Sequence, residues 1–201
     1  MKPVFYTQRA DVVESYGERR DCADQRLCEF LRVCRLLPVP VPNNKSVAEA
    51  MCEALRPKGI FLSGGNSLAA YGGNAPERDA TEKALVDYAI QENLPVFGIC
   101  RGLQFLADYF GSRLEEVEGH VRTRHRVKGD LTRSSVNSFH QLAALELKPP
   151  LAVLSRAEDG TVEALRHSSL PILAVGWHPE REREFDAEDI ELITEWFGKE
   201  W

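Results

Sequence analysis

Residues 96–102 read VFGICRG, a cysteine with Gly98 two residues before it and Gly102 two residues after, behind an apolar run. Glycine packs nothing and weakens a buried strand, and a helix start prefers Ser, Thr, Asp or Asn ahead of it. Strand, Gly-x-Cys-x-Gly, helix follows the logic of a nucleophile elbow, whose turn is so tight that flanking residues must lack bulk. A helix starting at Arg101 aims its positive end at Cys100 and favours the thiolate. The competing reading is a cysteine packed at a glycine-rich strand end.

A thiolate nucleophile needs a base and a group to orient that base. Residues 175–180 read VGWHPE. His178 follows an apolar strand, at the edge where α/β sheets place ligands. Glu180 lies two residues on, so in extended backbone both side chains point the same way, with Pro179 fixing φ between them. Glu180 can then hold one imidazole nitrogen while the other faces Cys100. An oxyanion hole needs two donors, the N–H of Arg101 and one from a neighbouring strand-end loop. Ser63-Gly64-Gly65 supplies that loop, with Gly65 as the donor. A structural histidine and a plain glycine turn are the bland alternatives. Together the three pieces describe acyl transfer through a thioester.

The elements that must position them alternate as in an α/β sandwich. Strands are expected at Lys2–Thr7, Val39–Val41, Gly59–Leu62, Pro95–Ile99, Leu151–Arg156, Thr161–Arg166 and Ile172–Trp177. The run Pro95–Ile99 is apolar on both faces, as central parallel strands are. Leu27, Phe30, Leu31 and Cys34 mark a helix from Asp24 to about Leu36, ended by Pro38. Ser46 is expected to cap a helix carrying Val47, Met51 and Leu55. Further helices start near Pro76, follow Cys100 through Leu103, Leu106 and Phe110 to Gly111, and follow Asp186 through Ile190, Ile193 and Phe197. Glu158-Asp159-Gly160 is a hairpin signal. One domain, 1–201, is expected.

The net charge of −6 argues against a nucleic-acid polymer or a membrane surface as partner. No run reaches the roughly 18 apolar residues of a membrane span, and the N-terminus lacks a signal-peptide core. Five cysteines, at 22, 28, 34, 52 and 100, make an odd set without a CxxC pair. That argues against a disulfide framework or a zinc site, and for the cytoplasm. His120, His125 and His140 lack ligand-like spacing and read as polar surface or pocket residues, so no metal and no cofactor is expected. A homo-oligomer is left open.

GICRGLQ at 98–104, LSGGN at 62–66 and WHPE at 177–180 occur in one order along the chain. On these motifs the sequence resembles the class I glutamine amidotransferase superfamily over essentially its whole length. The resemblance implies a flavodoxin-like, three-layer α/β/α sandwich with a mostly parallel central sheet. It also implies a Cys100–His178–Glu180 triad, with Gln104 holding the substrate's glutamyl group. VNSFHQ at 136–141 looks like the γ-glutamyl hydrolase branch. YGERRDCAD at 16–24 and GHVRTRHRV at 119–127 look like the γ-glutamyl-CDP-amidate hydrolases of capsule phosphoramidate synthesis.

A hydrolase of that branch needs a glutamate pocket and a leaving-group pocket. Gln104 and the segment Asn137, Ser138, Phe139 and His140 are the candidates for the first. For the second, Arg19 and Arg20 are expected in a loop following the first strand, and Arg122, Arg124 and Arg126 alternate along one extended face. Arginine forks suit phosphate oxygens; the alternative is pairing with Glu18, Asp21 and Asp24. Three functions fit: a free-standing γ-glutamyl hydrolase acting on a small molecule, a glutaminase subunit feeding ammonia to a synthase, and a binding module without chemistry.

Overall fold

In the computed structural model, which describes residues 1–201, the order is β1 Lys2–Thr7, β2 Arg9–Val13, β3 Glu18–Cys22, α1 Gln25–Val33, β4 Leu36–Val41 and α2 Lys45–Leu55. Then come β5 Ile60–Leu62, α3 Pro76–Gln91, β6 Val96–Ile99, α4 Arg101–Tyr109, β7 Glu115–Glu116, β8 Val121–Gly129 and β9 Arg133–Phe139. The chain closes with β10 Leu142–Ala143, β11 Leu151–Ala157, β12 Val162–His167, β13 Ile172–Val175 and α5 Ala187–Gly198.

Nine strands form one sheet in the order β4-β1-β5-β6-β13-β12-β11-β8-β9. The first five run parallel, and their order along the chain is the doubly wound 2-1-3-4-5. Beyond β13 every pairing is antiparallel. β6 and β13 are buried along their whole length, which is why both read as unbroken apolar runs.

Side-chain alternation divides the core into two layers. Phe5, Ile60, Leu62, Val96 and Ala174 face α2, α3 and α4. Val4, Tyr6, Phe61, Phe97 and Val175 face α1 and α5. The result is the expected three-layer α/β/α sandwich, its sheet parallel at the core and extended by antiparallel strands.

Three local expectations are corrected. Helix α1 stops at Val33 because Arg35 takes a left-handed conformation (φ 62°), and β4 starts at Leu36. Pro38 and Pro40 are tolerated there because β4 is a sheet edge. The cap of α2 is Asn44, whose side chain accepts from Val47 N at 3.1 Å, and Ser46 lies inside the helix. The segment after β1 is not an open loop: β2 and β3 form an antiparallel hairpin pairing Arg9 with Cys22 and Val13 with Glu18.

Candidate active site

Cys100 joins β6 to α4 with φ +49° and ψ −102°, a region costly for any residue with a Cβ. Its N–H is tied to Val175 O at 2.8 Å. A Cβ at position 98 would lie 2.8 Å from the Gly102 carbonyl carbon, and one at 102 would lie 2.5 Å from Leu62 O. The two glycines are therefore the condition for closing the elbow against β5.

His178 follows β13 and is buried. It lies close enough to Cys100 for the thiolate to act on its charge, and its Nδ1 donates to Glu180 Oε1 at 2.6 Å. Burial works against the imidazolium, but the Cys100 thiolate and the Glu180 carboxylate outweigh it and push His178 up to about 10. Glu180 reaches the ring from a short 3₁₀ turn, Pro179–Arg181, and not from the extended backbone expected. On the other side, a Cβ at Gly64 would come 2.5 Å from His178 Cε1, so only glycine leaves the ring its place.

Cys100, Arg101, Gln104, Gly65, Phe139 and His140 all line one cavity of about 680 Å³. Gln104 is aimed by donating to Leu142 O at 2.7 Å. Phe139 meets the His178 ring edge-on, with centroids 5.7 Å apart.

Asn137 and Ser138 are not cavity walls. Asn137 clamps the His178 backbone, donating to its carbonyl at 2.8 Å and accepting from its N–H at 2.9 Å. Ser138 is fully buried and donates to His120 O at 2.8 Å. Strand alternation sends the two side chains to opposite faces of β9, and neither reaches the cavity, which β9 lines only with Phe139 at its end.

Arg19 and Arg20 stand on β3, are absent from the cavity lining, and are already paired. Arg19 binds Glu77 and the Asn74 carbonyl; Arg20 binds Glu18 and Tyr16. Arg122, Arg124 and Arg126 are exposed and alternate with the less exposed Thr123, His125 and Val127, but none of them lines the cavity, and Arg124 is already paired with Glu182 at 3.0 Å.

Two groups were missed in the sequence. Arg78 and Glu82, one turn apart on α3, are fully buried. Arg78 donates to Ser63 O at 2.8 Å and Gly65 O at 2.7 Å. Glu82 takes the Arg78 guanidinium at 2.9 Å on one oxygen and Arg101 on the other. One carboxylate thus joins the glycine loop to the residue after Cys100. A signal existed, because Arg78 and Glu82 continue the buried stripe of Leu85, Val86 and Ala89 at helical spacing.

The second group is Glu163, buried on β12, around which His120, His125 and His140 converge. His120 and His140 are buried, not surface residues. Burial opposes ionisation of Glu163, and the three imidazoles more than offset this, holding it well below the usual carboxylate range. Contact with Glu163, against the opposing effect of burial, raises His120, with Asp159 adding to the rise.

A cysteine at a strained strand–helix turn, a carboxylate-held imidazole and a glycine loop thus lie together at the carboxyl ends of a doubly wound sheet, the arrangement that thiol acyl transfer requires. Residues 20–193 match the family model for glutamine amidotransferase class-I, and the chain belongs to that family. It is 33% identical to the γ-glutamyl-CDP-amidate hydrolase of Campylobacter jejuni over 96% of each chain. It is also 33% identical to the γ-glutamyl-γ-aminobutyrate hydrolase of Escherichia coli O157:H7, over 72% of each. The solved structure of a GMP synthase subunit from Thermoplasma acidophilum superposes with a TM-score of 0.73, covering 98% of this chain and 94% of that one at 19% identity. That last likeness is one of fold. No helix is long and apolar enough to cross a membrane.

Proposed function

We propose that the protein hydrolyses a γ-glutamyl amide through a glutamyl thioester on Cys100. The observation that carries this reading is the strained elbow cysteine in reach of His178, whose far nitrogen Glu180 holds, at the wall of a cavity large enough for a small molecule. Cys100 Sγ attacks the γ-carbonyl carbon and the carbonyl electrons move onto oxygen, to which the N–H groups of Arg101 and Gly65 donate hydrogen bonds. The tetrahedral species collapses, the C–N bond breaks, and His178 hands its proton to the departing amine. Water then loses a proton to His178 and attacks the thioester, releasing glutamate and restoring the sulfur. Gln104, Phe139 and His140 hold the glutamyl group.

For the leaving group we infer a CDP-amidate-type amine, on the strength of the Campylobacter jejuni relative that matches both chains nearly end to end. The five free cysteines suit a reducing cytoplasm. The test is glutamate release by the isolated chain from γ-glutamyl-CDP-amidate, γ-glutamyl-γ-aminobutyrate and glutamine. The expected order of kcat/KM places the CDP-amidate first and glutamine last. Glutamine as the fastest substrate points instead to an ammonia-delivering glutaminase, and the absence of a glutamyl adduct on Cys100 by mass spectrometry overturns the mechanism.

A further inference from the structure

Four side chains on or beside three strands meet at one point behind the cavity wall. Glu163 Oε1 lies 3.4 Å from His120 Nδ1, 3.1 Å from His125 Nε2 and 3.3 Å from His140 Nε2. The rings themselves are close, with centroids 4.7 Å apart for His120 and His125 and 4.8 Å apart for His120 and His140. Glu163, His120 and His140 are buried, so the cluster is not a solvated face.

One account of the cluster is a carboxylate collecting three hydrogen bonds. The directions argue against it. Only His140 makes such a bond, from Nε2 to Glu163 Oε1 at 3.3 Å; His125 Nε2 is within 3.1 Å of the carboxylate yet makes no hydrogen bond to anything, and neither do Glu163 Oε2 or His140 Nδ1. The contact from His120 Nδ1 is likewise an approach without a hydrogen bond to Glu163, the nitrogen's polar neighbour being Ser138 Oγ at 3.4 Å. Donors that share a carboxylate point at it. Ligands that share a metal ion point at a common centre beside one another, and adjacent donor atoms then stand apart by a tetrahedral edge. For metal bonds of 2.0–2.1 Å that edge is about 3.3 Å, close to the distances of His120 Nδ1 and His125 Nε2 from Glu163 Oε1.

A second observation concerns the far side of His120. Its Nε2 lies 2.8 Å from Asp159 Oδ2. A carboxylate that takes the Nε2 proton leaves Nδ1 as the lone-pair nitrogen, facing the cluster, and this carboxylate–histidine arrangement is how metal-bound imidazoles are oriented. His120, His125 and Glu163 offer ligand atoms that all lie within 4.8 Å of one another, and two imidazole nitrogens with one carboxylate oxygen are a donor set that suits zinc.

We propose that His120 Nδ1, His125 Nε2 and Glu163 bind one Zn²⁺ ion, oriented by Asp159. The ion ties β8 to β12, and His140, hydrogen-bonded to Glu163, links that point to the end of β9. His140 also lines the cavity that holds Cys100, and Gly176, two residues before His178, donates to Glu163 O at 2.6 Å. A Cβ at Gly176 would collide with Glu163 Oε2. The ion therefore braces the wall behind the catalytic imidazole without touching the reacting atoms.

The test uses the full chain carrying Cys100→Ser, so that zinc cannot bind at the catalytic sulfur. After chelator treatment this protein is titrated with ZnCl₂ by calorimetry and, separately, with CoCl₂ by visible spectroscopy. One zinc per chain is expected, with the intense d–d bands of tetrahedral Co²⁺ and no thiolate charge-transfer band. His125→Ala abolishes the binding, and Asp159→Ala, at the exposed hairpin turn where it also accepts from Thr161 N at 3.0 Å, weakens it about 10- to 100-fold. Absence of zinc binding by the Cys100→Ser protein overturns the proposal without recourse to any further variant. So does a thiolate band, or a zinc stoichiometry and affinity unchanged in His125→Ala.

Discussion

The two halves of the sheet assemble chemistry in different ways. In the parallel half, Cys100, His178 and the glycine loop each sit where a strand ends, and a tight turn aims each group. In the antiparallel half, His120, His125, His140 and Glu163 come from separate strands and their ends, and no turn aims them. The first arrangement needs only a few consecutive residues to be right. The second needs the register of β8 against β9 and the placing of β12 as well. A site built on strand ends can change its substrate without moving its nucleophile, whereas a site built across strands holds those strands together.

The largest effect should come from the parallel half. Cys100→Ala is expected to reduce hydrolysis by several orders of magnitude while leaving the thermal midpoint near that of the parent, since it removes one small side chain. Alkylation should also single out Cys100 near neutral pH. Burial pushes Cys34 up to about 12 and Cys52 up to about 11, and burial with the Asp11 contact raises Cys22. Normal turnover by the alanine variant would remove the chemistry from this half altogether.

Glu180→Gln should cost kcat about 10²- to 10⁴-fold with little change in KM, because the loss falls on the imidazolium that forms in the transition state. The sign of the accompanying titration is fixed. A carboxylate at 2.6 Å favours the protonated ring, so its removal lowers His178 from about 10 towards the ordinary histidine value. Imidazole NMR of both proteins measures that fall; an unmoved resonance would mean that another group orients the ring.

Glu82→Gln asks whether the parallel half depends on its buried network. Arg78 and Arg101 would be left in the core short of their shared partner, and breaking a buried pair in this way costs about 3–5 kcal/mol. Burial disfavours the Glu82 carboxylate, but Arg101 and Arg78 outweigh it and hold the group below its usual 4.5. Its folded value is thus lower than its unfolded one. The contribution is present in full above the unfolded value and is lost as pH falls through the folded value. Denaturant melts taken from pH 7 down to pH 3 should show an acid loss that the variant lacks, and kcat should drop with stability as the Gly65 and Arg101 loops slacken. An intact kcat at reduced stability would confine the network to scaffolding.

This contrast also marks what could be seen in the chain before its structure. The elbow, the WHPE segment and the glycine loop are contiguous, and the apolar runs of β5, β6 and β13 report burial directly. The hairpin of β2 and β3 was hidden because ERRDC carries charge on successive residues and shows no alternation. Asn137 reads as a pocket residue until β9 is paired, when its amide turns to the His178 backbone. His120, His125 and His140 lack ligand spacing in sequence because their common point, Glu163, arrives from another hairpin. Its one local trace is a carboxylate inside the otherwise apolar segment Val162–Leu165.

The smallest effects are expected on the β2–β3 hairpin, where the sequence suggested a phosphate reader. Arg19 is spent on Glu77 and the Asn74 carbonyl, which dock the hairpin on the start of α3. Arg20 is spent within the hairpin on Glu18 and Tyr16. Both arginines are substantially exposed, and water screens such pairs, so neither alanine variant should lose more than about 1 kcal/mol. With neither side chain in the cavity wall, Arg20→Ala should leave KM unchanged for phosphorylated and neutral γ-glutamyl substrates alike. Arg19→Ala should shift both by the same small factor, if at all, because it loosens a docking contact without removing a ligand. A KM rise confined to the phosphorylated substrate in either variant would bring the hairpin over the cavity in the bound enzyme. The leaving group would then be read by a segment that closes on it.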